Sequence, residues 1–155
     1  MRIVVTGAKG MLGTALVPVL RQRHQVWDID VGDCDICDAA TTSVVLRTRR
    51  SELVIHLAAY TNVDGCETNP QIAEATNSTG TRNVAMACAE VGATMLYLST
   101  DYVFDGTKSA AYLEDDCPNP ISVYGKSKWL GGAACPRHFE AVLYRQNFLA
   151  VRTQR

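Results

Sequence analysis

The sequence predicts an α/β fold, a doubly wound parallel sheet, and three observations predict it. Short, almost wholly apolar runs recur along the chain, as in strands that are buried on both faces. Longer segments with apolar residues at helical spacing separate them. A glycine-rich turn joins the first apolar run to the first helical one. Such alternation builds parallel strands joined by right-handed crossovers.

Taken in order, residues 2–6 read as a buried strand and 11–23 as a helix. Residues 25–30 form the second strand. Residues 39–50 form a helix whose apolar side is Val44, Val45 and the stem of Arg47. Residues 53–57 are the third strand, and 72–91 a helix with a stripe of Ala75, Val84, Ala87, Cys88 and Val91. Residues 94–99 are the fourth strand. Beyond Asp101 the pattern loosens. Asp105-Gly106 marks a turn, and Pro118 and Pro120 exclude a helix around them. A helix restarts near Ser122 and is interrupted early by Gly131, Gly132 and Pro136. The runs 141–144 and 148–151 compete for one remaining strand. No repeat, low-complexity tract or linker divides the chain, so residues 1–155 are expected to form one domain.

Composition narrows the function. Among 155 residues, 47% are apolar and 20% charged, an ordinary globular balance. A net charge of −1 gives no electrostatic reason to expect nucleic acid or an anionic membrane surface as partner. No apolar run approaches the roughly 18 residues that span a bilayer. The N-terminus runs directly into a strand without a signal-peptide pattern, so a cytoplasmic protein is expected. Six cysteines are present, Cys34 and Cys37 as a C-x-x-C. No second pair or H-x-H group follows to complete a zinc site, and no metal is expected.

Two motifs carry chemistry. Thr6-Gly7-Ala8-Lys9-Gly10-Met11-Leu12-Gly13 places a G-x-x-G-x-x-G between a strand and a helix. Gly7 allows the tight turn, Gly10 removes a side chain that would block a pyrophosphate, and Gly13 lets the helix pack closely on the strand. The helix N-terminus then offers N–H groups to phosphates. This is the dinucleotide-binding pattern of a Rossmann fold, and it implies NADPH or NADH as cofactor. Asp30 ends the second strand 17 residues after Gly13. As a ribose acid it would accept from a 2′-hydroxyl and repel a 2′-phosphate, which leans towards NADH; otherwise it is a solvated strand-end aspartate.

The second motif is Tyr124-Gly125-Lys126-Ser127-Lys128, a Y-x-x-x-K whose ends share one helix face. Lys128 would lower the pKa of the Tyr124 phenol and hold the nicotinamide ribose, making Tyr124 a proton donor to a carbonyl. Alone, this spacing also fits an exposed helical pair. Thr100 supplies the context. It follows the fourth strand, where a hydroxyl faces the cofactor crevice, and stands 24 residues before Tyr124. Thr100, Tyr124 and Lys128 are the expected catalytic triad.

The motifs TGAKGMLG, DICD (35–38), HLAAYTNVDGCE (56–67), LSTDYVFDG and NPISVYGKSK (119–128) occur in this order. In this the chain resembles the extended short-chain dehydrogenase/reductases, and among them the dTDP-4-dehydrorhamnose reductase family. The resemblance covers residues 1 to about 130. It implies NAD(P)H-dependent reduction of a nucleotide-activated 4-keto-6-deoxy sugar, in dTDP-rhamnose biosynthesis. It implies cofactor contacts from Gly10, Met11, Leu12, Asp30, Asp35, Ile36, Ala58, Ala59 and Tyr60, and a dTDP-sugar substrate beside Asp101 and Tyr102. A homodimer is a further expectation. Relatives continue from an Arg-Thr, matched here by Arg152-Thr153, into a substrate loop and a C-terminal lobe. A chain with that substrate lobe largely absent is expected to have little or no turnover. The alternative reading is a non-catalytic NAD(P)-binding regulatory subunit, resembling that of methionine adenosyltransferase.

Overall fold

A computed structural model describes residues 1–113, 115–133, 140–145 and 148–151. Six strands form one sheet: β1 (Arg2–Thr6), β2 (Gln25–Ile29), β3 (Leu53–His56), β4 (Thr94–Leu98), β5 (Glu140–Arg145) and β6 (Phe148–Val151). Their order is β2-β1-β3-β4-β5-β6. The first five run parallel, and β6 is antiparallel to β5. The doubly wound parallel sheet is therefore present. The two runs expected to compete for one strand both form strands. Only two residues separate them, enough for a hairpin but not for a crossover, so the second must turn back.

The chain leaves β1 for β2 on one side and returns to β3 on the other. This puts the topological switch point, and the crevice it opens, at the carboxyl ends of β1 and β3. Both sheet faces are covered. Ile3, Val5 and Ile55 pack with Val17, Leu16 and Leu20 of α1 (Met11–Arg21). Val4, Val54, Met95 and Tyr97 pack on the opposite face. There they meet Leu46 of α2 (Ala39–Arg49) and Val84, Ala85, Ala87 and Cys88 of a later helix. Alternation along β1 sends its side chains to both layers, which is why the strand reads as continuously apolar.

Helix α2 turns Val45 to the core as expected, but Thr42 and Leu46, one turn apart, are its buried residues, and Val44 is 58% exposed. Asp38 sets this phase by accepting from the N–H groups of Ala40 and Thr41 as the N-cap. A short helix, α3 (Val63–Thr68), was not legible in the sequence. It starts where Asn62 Oδ1 accepts the Gly65 N–H at 2.8 Å.

The expected helix over 72–91 is one helical run in three parts: α4 (Pro70–Ala73), a π-helical segment (Glu74–Gly80) and α5 (Thr81–Val91). The wider π turn rephases the stripe. Ala73, Asn77, Gly80 and Val84 point inward, and Ala75 is exposed. The last helix, α6 (Val123–Ala133), runs through Gly131 and Gly132, contrary to the expected interruption. A Cβ on Gly131 would collide with the Asn77 carbonyl oxygen. This glycine thus lets α6 press against the π segment, and the contact offsets the ~1 kcal/mol helix penalty of glycine. Pro136 and Arg152-Thr153 lie outside the described residues. Among the described residues no helix is long and apolar enough to cross a membrane.

Candidate functional site

The site is assembled at the carboxyl edge of the sheet, where the loops after β1, β3 and β4 meet the start of α6. Gly7 has φ 68°, a left-handed conformation open to glycine. A Cβ there would lie 2.6 Å from the Ala58 nitrogen, so the turn after β1 and the loop after β3 touch only because Gly7 is bare. Gly13 is pressed against Ala8 in the same way. Gly10 is the N-cap of α1. No side chain caps this end, and the first turn holds no acidic residue. Its N–H groups therefore point towards whatever lies over the glycine turn, with the partial positive charge of the helix behind them. Met11 is 94% exposed and Leu12 half-exposed, an apolar pair displayed beside those donors.

Asp30 is drawn onto this turn. Its Oδ2 accepts the Lys9 N–H at 2.8 Å and its Oδ1 the Val31 N–H at 2.9 Å. The carboxylate thus sits at the lip of the glycine cradle, held from below by backbone. Asp35 is exposed, and its Oδ1 accepts the Cys37 N–H. The Ile36 side chain is buried against Gly80. Asn83 Nδ2 donates to the carbonyls of Ile36 and Cys37, at 2.9 and 3.1 Å, and so fixes this loop. Ala58, Ala59 and Tyr60 are half-buried along the floor of the crevice.

The structure brings Thr100 and Tyr124 together and seats Lys128, one turn further along α6, against Tyr97. Thr100 follows β4, is 7% exposed, and accepts the Tyr102 N–H at 3.3 Å. Tyr124 is 9% exposed, and the neighbouring Thr100 hydroxyl favours its ionised form; Thr100 Oγ1 donates to Asp101 Oδ1 at 3.4 Å. Its ring stands edge-on to Tyr102, centroids 5.6 Å apart. Asp101 and Tyr102 are exposed on the outer side of this pair. Lys128, one turn along α6, is buried, with its Nζ 4.2 Å from the centre of the Tyr97 ring. The expected lowering of the Tyr124 pKa is not what the chain by itself produces. Burial pushes the phenol up, and the Thr100 hydroxyl offsets this only partly. Desolvation wins because the tyrosinate would be formed among Cys66, Ala73 and the Tyr60 ring, in an apolar cluster.

Several positioning residues were not found from the sequence. Asn77, fully buried, accepts the Tyr60 N–H at 2.8 Å and donates to the Tyr60 carbonyl and to Ser127 Oγ, both at 3.0 Å. It ties the loop after β3 to the helix carrying Tyr124 and Lys128. Glu67 Oε1, from α3, accepts the Val123 N–H at 2.8 Å and caps α6 from outside. Asn77 sits in a stretch, Asn77-Ser78-Thr79-Gly80, that has no apolar period, and its partners lie 17 and 50 residues away. Only the polar character of a residue on an otherwise buried stripe could have marked it.

The C-x-x-C residues diverge. Cys34 Sγ lies 3.9 Å from Thr42 Oγ1, and Cys37 Sγ donates to the Ala75 carbonyl at 3.4 Å. Burial pushes both thiols up, opposite to an activated thiolate. Among the described residues no group of three His, Cys, Asp or Glu could hold a metal ion.

The family model described as RmlD substrate binding domain matches residues 1–153. A dTDP-4-dehydrorhamnose reductase of Streptomyces griseus is 43% identical over 134 residues, covering 86% of this chain and 44% of that protein. A probable low-salt glycan biosynthesis reductase of Haloferax volcanii is 41% identical, covering 82% and 46%. The crystal structure of dTDP-4-dehydrorhamnose reductase from Bacillus anthracis in complex with NADP superposes with a TM-score of 0.89 at 36% identity, covering 92% of this chain and 52% of that one. The chain spans about half the length of the curated relatives it matches.

Proposed function

Because the chain belongs to the RmlD substrate binding domain family, that of the dTDP-4-dehydrorhamnose reductases, we propose that it is the cofactor-binding and proton-donating part of an NAD(P)H-dependent reductase of a nucleotide-activated 4-keto-6-deoxy sugar. The observation that carries this reading is the nearly buried Thr100 and Tyr124 hydroxyl side chains, brought together at the switch-point edge that also holds the glycine turn. The named relatives are reductases, which favours enzymatic over regulatory use of the fold.

The residues present fit a dinucleotide. Gly10 leaves the space over the turn free of a side chain, Gly7 and Gly13 let the turn and α1 close tightly on Ala58 and Ala8, and the uncapped α1 terminus supplies donors for a pyrophosphate. Asp30 is placed to accept from a ribose hydroxyl; Asp35, Ile36 and Ala58–Tyr60 line the route of the dinucleotide; and Met11 and Leu12 cover it. When bound, the nicotinamide supplies the hydride. Thr100 orients the substrate carbonyl, and Tyr124 delivers the proton to its oxygen. Lys128 holds the nicotinamide ribose, and Asp101 and Tyr102 flank the sugar. A phenol pushed up by burial stays protonated near neutral pH and is ready to donate; a developing alkoxide is the stronger base. A cytoplasmic homodimer is part of the same reading.

The test has two arms. The 155-residue chain is titrated with NADH and NADPH by fluorescence. Joined to the C-terminal half of a relative, it is assayed on a dTDP-4-keto-6-deoxy sugar by loss of reduced-nicotinamide absorbance. Binding is expected in the first arm, and turnover in the second that Tyr124→Phe lowers by about a hundredfold or more, the scale of general acid catalysis. Turnover unaffected by Tyr124→Phe would refute the assignment.

A further inference from the structure

Lys128 enters the site from a more elaborate seat than a helix position supplies. Tyr97, on the adjacent β4, is 1% exposed and meets Lys128 twice. Its hydroxyl donates to the Lys128 carbonyl at 2.9 Å, and its ring face lies 4.2 Å from the Lys128 Nζ. The second distance is well within the roughly 6 Å reach of a cation–π contact, which strengthens when desolvated. Lys128 itself is 4% exposed.

Against Tyr97 stacks His56, at 5.7 Å between centroids and 20° between planes. His56 is held from both ring nitrogens: Nδ1 lies 2.7 Å from Thr6 Oγ1 and Nε2 3.1 Å from Thr81 Oγ1. Burial and the charge of Lys128 push its pKa down to about 3. The imidazole is therefore neutral near pH 7 and adds no second cation beside Lys128. Thr6 is the residue before Gly7, so the chain of contacts runs from the glycine turn through β3 and β4 to α6.

We propose that Tyr97 is a positioning residue that clamps Lys128 by its carbonyl and its ammonium together, with His56 as a stacked plate tying that clamp to the glycine turn. This deepens the reading of Lys128 as the ribose-holding residue and rests on it. A buried lysine has many rotamers, and fixing one before the cofactor arrives removes part of the ordering cost of binding. The clamp also explains why β4, otherwise apolar on this face, carries a tyrosine.

The contact is read first in the wild-type 155-residue chain. In ¹H–¹³C spectra of lysine-labelled protein, the Lys128 ε-methylene, assigned by its loss in Lys128→Arg, is expected well upfield of the other lysines under the Tyr97 ring current. Tyr97→Phe, which keeps the ring, is expected to keep that shift. Tyr97→Met, which fills similar volume without a ring, is expected to lose it. NADH affinity is expected to fall about tenfold in Tyr97→Met, the order of a partly desolvated cation–π contact, and to change less than about threefold in Tyr97→Phe. The absence of any upfield-shifted lysine signal in the wild type overturns the clamp without reference to any cofactor, and without depending on whether a variant folds. A shifted signal with unchanged NADH affinity in a folded Tyr97→Met overturns the positioning role. A wild-type chain that shows the shift but binds no NADH refutes the functional reading, and the positioning role with it, while the contact stands.

Discussion

Replacing Asn77 with alanine tests whether the site is held together from within the π segment. The buried amide satisfies three groups: the Tyr60 N–H, the Tyr60 carbonyl and Ser127 Oγ. Ser127 keeps a partner, since its hydroxyl also donates to the Tyr124 carbonyl at 2.8 Å. The two backbone groups of Tyr60 are left with little: Cys66 Sγ, 3.9 Å from the carbonyl, is a weak donor. Each half-buried polar group stripped of its partner costs about 1–3 kcal/mol. The expected loss is thus about 2–6 kcal/mol, before any cavity contribution. With a urea slope of ~2 kcal/mol per molar for a domain of this size, the unfolding midpoint should fall by about 1–3 M. The same variant should bind NADH more weakly, because the loop after β3 and α6 lose their common strut. A midpoint shift below about 0.3 M would show that Tyr60 and Ser127 are satisfied without Asn77, and would refute the reasoning.

Three further outcomes are expected. Gly7→Ala should destabilise the fold, since its side chain meets Ala58 backbone in a left-handed conformation, and should lower the midpoint of a thermal melt by several degrees. Gly10→Val should lower that melt less, its Cβ meeting only the Gly7 carbonyl at 3.2 Å against the backbone collisions at Gly7, yet abolish NADH binding by titration; melts that rank the two the other way would contradict the site. His56 has a folded pKa of about 3 against an ordinary 6.5. The unfolded chain then binds the extra proton, so stability is full above pH ~6.5 and falls as the pH drops towards 3, by about 2 kcal/mol between pH 7 and 5. In urea titrations His56→Gln should flatten that slope, and an equally steep slope in the variant would place the titration elsewhere.

The sequence by itself determined the β–α alternation, the glycine turn after β1, and the candidates for the proposed triad. These are local properties. Two-sided burial makes β1 apolar throughout, a tight turn with a close approach admits only glycine at Gly7, and a Y-x-x-x-K closes one helical turn whatever surrounds it. Thr100 was legible because a strand's carboxyl end in a parallel sheet faces the crevice.

Tertiary structure decided what depends on partners distant in sequence. Val84, Ala87 and Cys88 face inward as the helical stripe implied, but the π turn before them put Asn77 and Gly80 inward and left Ala75 exposed. Gly131 and Gly132 read as helix breakers, yet α6 runs through them because the Asn77 carbonyl and the Tyr97 ring occupy the space a side chain would need. The two last apolar runs both became strands, since a two-residue connection leaves β6 no course but to pair back on β5. The ionisation of Tyr124 followed burial and not the spacing to Lys128, and the seat of Lys128 came from Tyr97, 31 residues earlier in the chain. Desolvation and close packing are set by every element that surrounds a residue, so no window of neighbouring sequence contains them.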